Sequence, residues 1–301
     1  MKLVISASPH IDSGATTRKI MGDVLIALCP ALIAAIVIFG WRALLVTAVC
    51  AAACVFFEWG FEKLCHKPST IDDLSAVVTG VILAYNLPVS IPLWQAVFGC
   101  LVAIVAVKQL FGGIGKNFAN PALVGRIVLF LSFSKTMTAW VFPDAVSSAT
   151  PLAQLAAGQK PELWTLLLGN YGGCIGETCA LALLLGGAYL LLRGVITWQT
   201  PVCFVGTVFV LSLILGQDAV RQILSGGLLL GAFFMATDYV TTPQTCWGRA
   251  LFGIGAGLLT CLIRFYGSYA EGVSFAILFM NILTPYLSKW TRSKPFGGVP
   301  A

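Results

Sequence analysis

Apolar stretches close to the length of a membrane crossing recur along the whole chain, at residues 21–40, 43–60, 74–87, 94–110, 121–134, 176–192, 199–215, 222–237, 249–265 and 272–288. A hydrocarbon core about 30 Å thick takes about 20 helical residues to cross, and a backbone surrounded by lipid must satisfy its own hydrogen bonds. The expected fold class is therefore an all-α polytopic membrane protein with about ten transmembrane helices. Composition agrees, since 58% of the 301 residues are hydrophobic and only 10% are charged, against about 25% charged in a soluble domain. Membrane lipid is the expected partner of most of the surface, and no nucleic-acid partner is expected. The first 20 residues are polar and carry Arg18 and Lys19. The apolar stretch after them lacks an early small-residue cleavage site, so Met21–Trp41 reads as a retained first span.

Two stretches, 74–87 and 222–237, are short for a crossing and end near Pro88 and Pro243. They are expected to be tilted, broken or re-entrant. With an inner N-terminus, thirteen of the 18 Lys and Arg residues fall inside, while Arg42, Lys135, Lys160, Arg221 and Arg264 fall outside. That bias puts both termini on the inner side and the longest polar connection, about 135–175, on the outer side. A shift of about 155 residues matches Pro88 with Pro243, Gly99 with Gly253, Gly112 with Gly267 and Trp41 with Trp198. Five spans separate the copies, and an odd number inverts the second relative to the first, so two inverted five-helix repeats are expected. The division that follows is an inner segment 1–20, a first repeat 21–134, an outer loop 135–175, a second repeat 176–288 and an inner tail 289–301.

Among the ten cysteines, Cys29, Cys50, Cys54, Cys100, Cys203 and Cys261 fall inside apolar stretches, where a thiol behaves as a small hydrophobe. The other four, Cys65, Cys174, Cys179 and Cys246, lie near span ends and form no CxxC pattern. With only His10 and His66 in the chain, a His-rich metal site or haem pair is not expected. An iron–sulfur site shared with another subunit remains an alternative.

Three kinds of segment could carry chemistry. Residues 144–152 (Asp-Ala-Val-Ser-Ser-Ala-Thr-Pro-Leu) form a small-residue run in the outer loop that leaves the Thr150 hydroxyl accessible to a modifying enzyme, although such runs are also ordinary turns. Residues 112–122 (Gly-Gly-Ile-Gly-Lys-Asn-Phe-Ala-Asn-Pro-Ala) place Lys116, Asn117 and Asn120 beside a helix start that favours anions. A capped helix after a tight turn would read the same way, with Pro121 at its first position. Ionisable residues in or at the rim of spans are costly in lipid and face a protein or water interior; Asp23, Glu58, Glu177 and Asp238 qualify. Asp23 and Glu177 could serve as helix N-terminal charges, and Glu58 could sit at the headgroup level beside Trp59. Asp238, in Ala236-Thr237-Asp238-Tyr239-Val240-Thr241-Thr242-Pro243, could help to coordinate a hard cation such as sodium.

Together these segments resemble the RnfD and NqrB family along almost the whole chain. The resemblance is carried by Val4–Ile11, Thr17–Met21, Gly115–Leu123, Phe234–Asp238 and Glu271–Asn281, and it is closer to the RnfD branch. It implies that Ser147-Ser148-Ala149-Thr150 is a flavin-attachment motif, with FMN joined through its phosphate to Thr150 by a flavin transferase working on the outer side. The family more often has Gly where Ser148 stands. The resemblance also implies a second, non-covalent flavin (riboflavin or FMN) in the membrane part, for which Asn117 and Asn120 are the candidate contacts, and a cation pathway through Glu58 and Asp238. As a whole it implies a membrane subunit of the Rnf complex in a bacterial cytoplasmic membrane. That complex passes electrons between ferredoxin and NAD while moving sodium or protons, with a second covalent-flavin subunit and iron–sulfur subunits as partners. The family's fold is similar to that of urea transporters, so a solute transporter or channel without redox chemistry is the competing expectation.

Overall fold

The computed structural model describes residues 15–140, 150–267 and 272–292. Among these residues the chain is helical, and its one extended pairing is an isolated antiparallel bridge between Pro88 and Cys174. Three helices are long and apolar enough to cross a membrane: α1 (Thr17–Phe39), α2 (Trp41–Leu64) and α13 (Cys246–Tyr266). Shorter apolar helices fill the space between them: α3 (Ser75–Tyr85), α4 (Leu93–Leu101, extended as a π-helix over Val102–Gln109), α5 (Pro121–Ser132), α9 (Ala180–Leu192) and α10 (Gln199–Ile214). Val273–Trp290 forms α14. Small helices complete the described residues: a 3-10 turn over Ile71–Asp73, α6 (Ser134–Met137), α7 (Pro151–Ala156), α8 (Leu163–Leu168), α11 (Ala219–Leu224) and α12 (Leu228–Leu230), the last continued as a π-helix over Gly231–Met235.

Local chemistry sets these boundaries. The Thr16 hydroxyl accepts from the Lys19 amide at 3.3 Å and caps α1. Gly40, at φ 76° and ψ −167°, is the single residue between α1 and α2, a conformation that a side chain would resist. The stretch at 74–87 is short as a helix: α3 runs unbroken from Ser75 to Tyr85, and residues 86–91 follow without helix. The stretch at 222–237 is broken internally, between Leu224 and Leu228.

The stretch at 176–192 differs from the expectation of an unbroken span, because its helix begins only at Ala180. The preceding Tyr171-Gly172-Gly173-Cys174-Ile175-Gly176 pairs instead with the extended residues after α3. The Ile175 amide donates to the Leu87 carbonyl and the Gly176 amide to the Tyr85 carbonyl, both at 3.0 Å. Backbone groups buried away from water are thus satisfied between two non-helical strips rather than within one helix.

The packing pairs α1 with α9, α2 with α3 and α4, α10 with α11 and α13, α13 with α14, and α14 with α5. Large apolar side chains face outward on several of these helices, among them Ile33, Val37, Phe56, Leu131, Leu192 and Ile214. An apolar exterior around an equally apolar core suits lipid rather than water as the surrounding solvent, and the protein is accordingly a multi-pass helical membrane protein.

Candidate functional site

At one end of the helices a cavity of about 240 Å³ opens between α1, α3, α4, α5, α9 and the segment 233–240. Its walls are mostly apolar and include Phe233 and Phe234, while Asn117, Asn120, Lys108 and Asp238 supply polar groups. Sequence positions more than a hundred residues apart therefore meet here, and three of them, Asn117, Asn120 and Asp238, are expected site residues. Asn120 caps α5: its Oδ1 accepts from the amides of Ala122 at 3.1 Å and Leu123 at 3.5 Å, and Pro121 stands at the first helical position. Its Nδ2 also donates to the Met235 carbonyl at 3.4 Å. Asn120 is thus both a helix cap and a tie between the two halves of the chain. Asn120→Ala is expected to cost about 0.5–2 kcal/mol through the lost cap, seen as a lower midpoint of thermal unfolding in detergent micelles. An unchanged midpoint would contradict this role.

Asp238 lies in the connection beyond the π-helical Gly231–Met235. The Thr241 hydroxyl donates to its Oδ2 at 3.1 Å, and the Val240 amide approaches its Oδ1 at 3.5 Å. Burial pushes this carboxyl above its ordinary value, against the opposing hydrogen bonds of Thr241, Val240 and Asn117.

Glu58 is fully buried, and a cation distant in sequence pairs with it. Lys108, itself 3% exposed, donates to Glu58 Oε1 at 2.7 Å and Oε2 at 2.9 Å, and to Ser75 Oγ at 2.6 Å. Gln109 Nε2 donates to the same carboxylate at 2.8 Å. Two consecutive residues reach one carboxylate because they end a π-helical stretch, whose altered register turns neighbouring side chains toward α2. One turn further along α2, Glu62 is also buried, and the Thr70 hydroxyl touches both Glu58 and Glu62. Nothing in local sequence links Lys108 to Glu58. The i, i+4 spacing of two glutamates in an apolar helix was the available signal for Glu62.

Lys108 and Arg126, two of the thirteen cations counted on the inner side, are both buried in the protein rather than exposed at its surface. Arg126 lies inside α5, where it donates to Asn86 Oδ1 at 3.0 Å, Ser274 Oγ at 2.6 Å and Cys174 Sγ at 3.7 Å. These partners come from both non-helical strips and from α14, so the guanidinium joins the point where the broken helices meet. Asp23 is a tie between helices rather than a helix N-terminal charge, accepting from Tyr189 at 3.0 Å and Arg193 at 3.3 Å. Glu177 precedes α9 and accepts from the Cys174 amide at 3.0 Å.

Thr150 lies away from the cavity. It caps α7, its hydroxyl accepting from the Ala153 amide at 3.4 Å, and it is half-buried. The segment that follows packs near α11, where Leu152 lies over Gly226 in the break between α11 and α12. Ser147 and Ala149 lie outside the described residues. A threonine hydroxyl that is half-buried at the start of a helix keeps an oxygen able to form an ester to a phosphate.

A family model described as NQR2, RnfD, RnfE matches residues 4–297. The chain is 46% identical to the D subunit of the Na(+)-translocating ferredoxin:NAD(+) oxidoreductase complex of Acetobacterium woodii, over 99% of this chain and 96% of that protein. It is 41% identical to the D subunit of the proton-translocating ferredoxin:NAD(+) oxidoreductase complex of Clostridium ljungdahlii, over 97% and 96%. Identity to the D subunit of the ion-translocating oxidoreductase complex of Halorhodospira halophila is 35%, over 97% and 94%. With a family model covering nearly its whole length and relatives aligned end to end, the chain belongs to the NQR2, RnfD, RnfE family.

Proposed function

We propose that this chain is the D-type membrane component of an ion-translocating ferredoxin:NAD oxidoreductase, carrying FMN on Thr150 and coupling electron transfer to movement of Na+ or H+. The observation that carries this reading is the near full-length similarity to relatives whose names give that activity, one with sodium and one with protons. Flavin, when bound, supplies the one-electron redox chemistry, and the chain supplies attachment, positioning and electrostatics. Thr150 offers the hydroxyl for the phosphoester, within the motif Ser147-Ser148-Ala149-Thr150. The mostly apolar cavity, with the amides of Asn117 and Asn120 at its rim, suits the planar ring of a second, non-covalent flavin, riboflavin or FMN. Glu58 and Asp238 lie toward that same end and form the proposed cation pathway.

The reading includes ten spans in two inverted repeats, with division points as expected from sequence. In support, Trp41 and Trp198 both stand at helix starts, and Gly99 and Gly253 lie within α4 and α13. The α2–α4 packing has its counterpart in α10–α13. We place the chain in a bacterial cytoplasmic membrane with its termini inside and the Thr150 loop outside. Removing buried Lys108 and Arg126 from the count still leaves eleven inner cations against five. Its partners are the other subunits of the complex, including a second covalent-flavin subunit and iron–sulfur subunits, with a flavin transferase for maturation.

The test is the assembled complex with Thr150→Val. Ferredoxin-dependent NAD reduction is expected to fall to the level of complex lacking this subunit, while native gels show unchanged assembly. Undiminished NAD reduction by the variant would refute the reading.

A further inference from the structure

We propose that Lys108 is a tethered counter-ion, holding the place on Glu58 that a transported monovalent cation takes when Lys108 turns toward negative charge in the adjoining cavity. The proposal rests on reading the chain as an ion-translocating subunit and names the residue that would link the two processes. An ammonium has three N–H groups. Lys108 gives two to Glu58, at 2.7 Å and 2.9 Å, and the third to Ser75 Oγ at 2.6 Å. Lys108 and Ser75 both line the 240 Å³ cavity, so the ammonium lies between a buried carboxylate and a ligand-sized space. Turning toward that space would keep its Ser75 bond and give up Glu58.

Glu58 would then retain Gln109 Nε2 at 2.8 Å and the Thr70 hydroxyl at 3.2 Å, but no positive charge. Glu62 adds a second buried carboxylate one helical turn away, and the Thr70 amide donates to it at 3.2 Å. A hydroxyl has one proton to give and cannot satisfy both carboxylates. Other charged groups around this cluster are Asp73, which accepts from Ser75, Lys67, whose Nζ approaches the Gln109 carbonyl at 3.4 Å, and Asp238, which lines the same cavity as Lys108 and Ser75. With Lys108 turned away, two carboxylates and the Thr70 hydroxyl present hard oxygen atoms in a buried setting, where unpaired charge is costly. A sodium ion or a proton would restore the balance. By linkage, whatever negative charge in the cavity draws Lys108 away raises cation affinity at Glu58, and the bound cation favours that charge by the same factor.

The experiment uses the purified full chain in detergent micelles. Thermal unfolding is followed by tryptophan fluorescence while sodium replaces choline at constant ionic strength, at neutral and at acidic pH. Wild type is expected to respond weakly, because its internal ammonium already occupies Glu58. Lys108→Gln should be less stable in choline and recover with sodium, its half-saturating concentration about tenfold or more below that of wild type, within the usual range of coupling. If the proton is the cation, recovery comes on acidification instead. Adding Glu58→Gln to Lys108→Gln should abolish the response. Unfolding of Lys108→Gln that depends on neither sodium nor pH more than wild type would overturn the proposal. Should Lys108→Gln fail to fold, Ser75→Ala decides: removing one of the three bonds should give a smaller gain of the same sign, and no gain overturns it. No flavin or electron donor enters this assay, so its failure would remove the role of Lys108 and leave the redox reading to stand or fall at Thr150.

Discussion

Replacing Glu58 with alanine is expected to destabilise the protein by about 3–5 kcal/mol, the range for breaking a buried pair from one side. The cost comes from the partner left behind. Lys108 is 3% exposed, and without Glu58 its ammonium keeps the Ser75 hydroxyl but loses both carboxylate bonds. Removing both charges should be milder, because a Glu58→Met, Lys108→Met double variant strands no ion. The comparison is made by denaturant or thermal unfolding in micelles. A loss for Glu58→Ala below about 1 kcal/mol, as for an exposed pair, would show that Lys108 reaches water and that the site is open in the resting state.

The second large effect is steric. A Cβ added at Gly186 in α9 would overlap the backbone carbonyl oxygen of Ala27 in α1 and come within 2.9 Å of Phe234 Cζ. Backbone cannot rotate aside as a side chain does, and small residues at such crossings are what allow two membrane helices to approach. Gly186→Ala is therefore expected to cost about 3 kcal/mol, the upper end of the usual range for overpacking. It should also loosen the Asp23 contacts with Tyr189 and Arg193, which join the same two helices. Retained wild-type stability would mean that α1 and α9 do not pack at this distance. Phe234 also borders the cavity, so the same substitution tests whether its wall depends on this crossing.

Much of the helical frame was legible because lipid imposes one simple requirement, an apolar run that satisfies its own backbone. Thr17–Phe39 and Cys246–Tyr266 sit within a few residues of the stretches read at 21–40 and 249–265. The non-helical strip at 86–91 was signalled by short length and Pro88, and the break at 225–227 by short length alone, since Pro243 lies 16 residues further on. The unwound start of the sixth stretch was not, because hydropathy cannot distinguish a glycine-rich extended strip from a helix when both are apolar. Its structure depends on a strip about 90 residues earlier, through Tyr85 and Leu87.

The site shows the same division. Asn120 announced itself as a cap through the proline after it, and its neighbourhood with Asn117 and Asp238 in one cavity was foreshadowed by polar residues at the ends of separate apolar runs. Glu58 could be singled out as a carboxylate in an apolar run, but its partner could not. Lys108 is 50 residues away and reads as a cation at the rim of the 94–110 stretch, with nothing in sequence to show that it turns inward to Glu58. The burial of Arg126 was not legible for a related reason: a positive charge near the start of a span looks like a membrane-edge residue unless its buried acceptors, Asn86, Ser274 and Cys174, are known.

The most direct test of the redox reading is peptide mass spectrometry of the denatured chain, expressed together with its flavin transferase. The account predicts that the peptide containing Thr150 carries the mass of FMN less one water, and that Thr150→Val abolishes this adduct. Fully processed protein with an unmodified Thr150 peptide would contradict the account, and solute flux through the membrane part would then become the activity to measure.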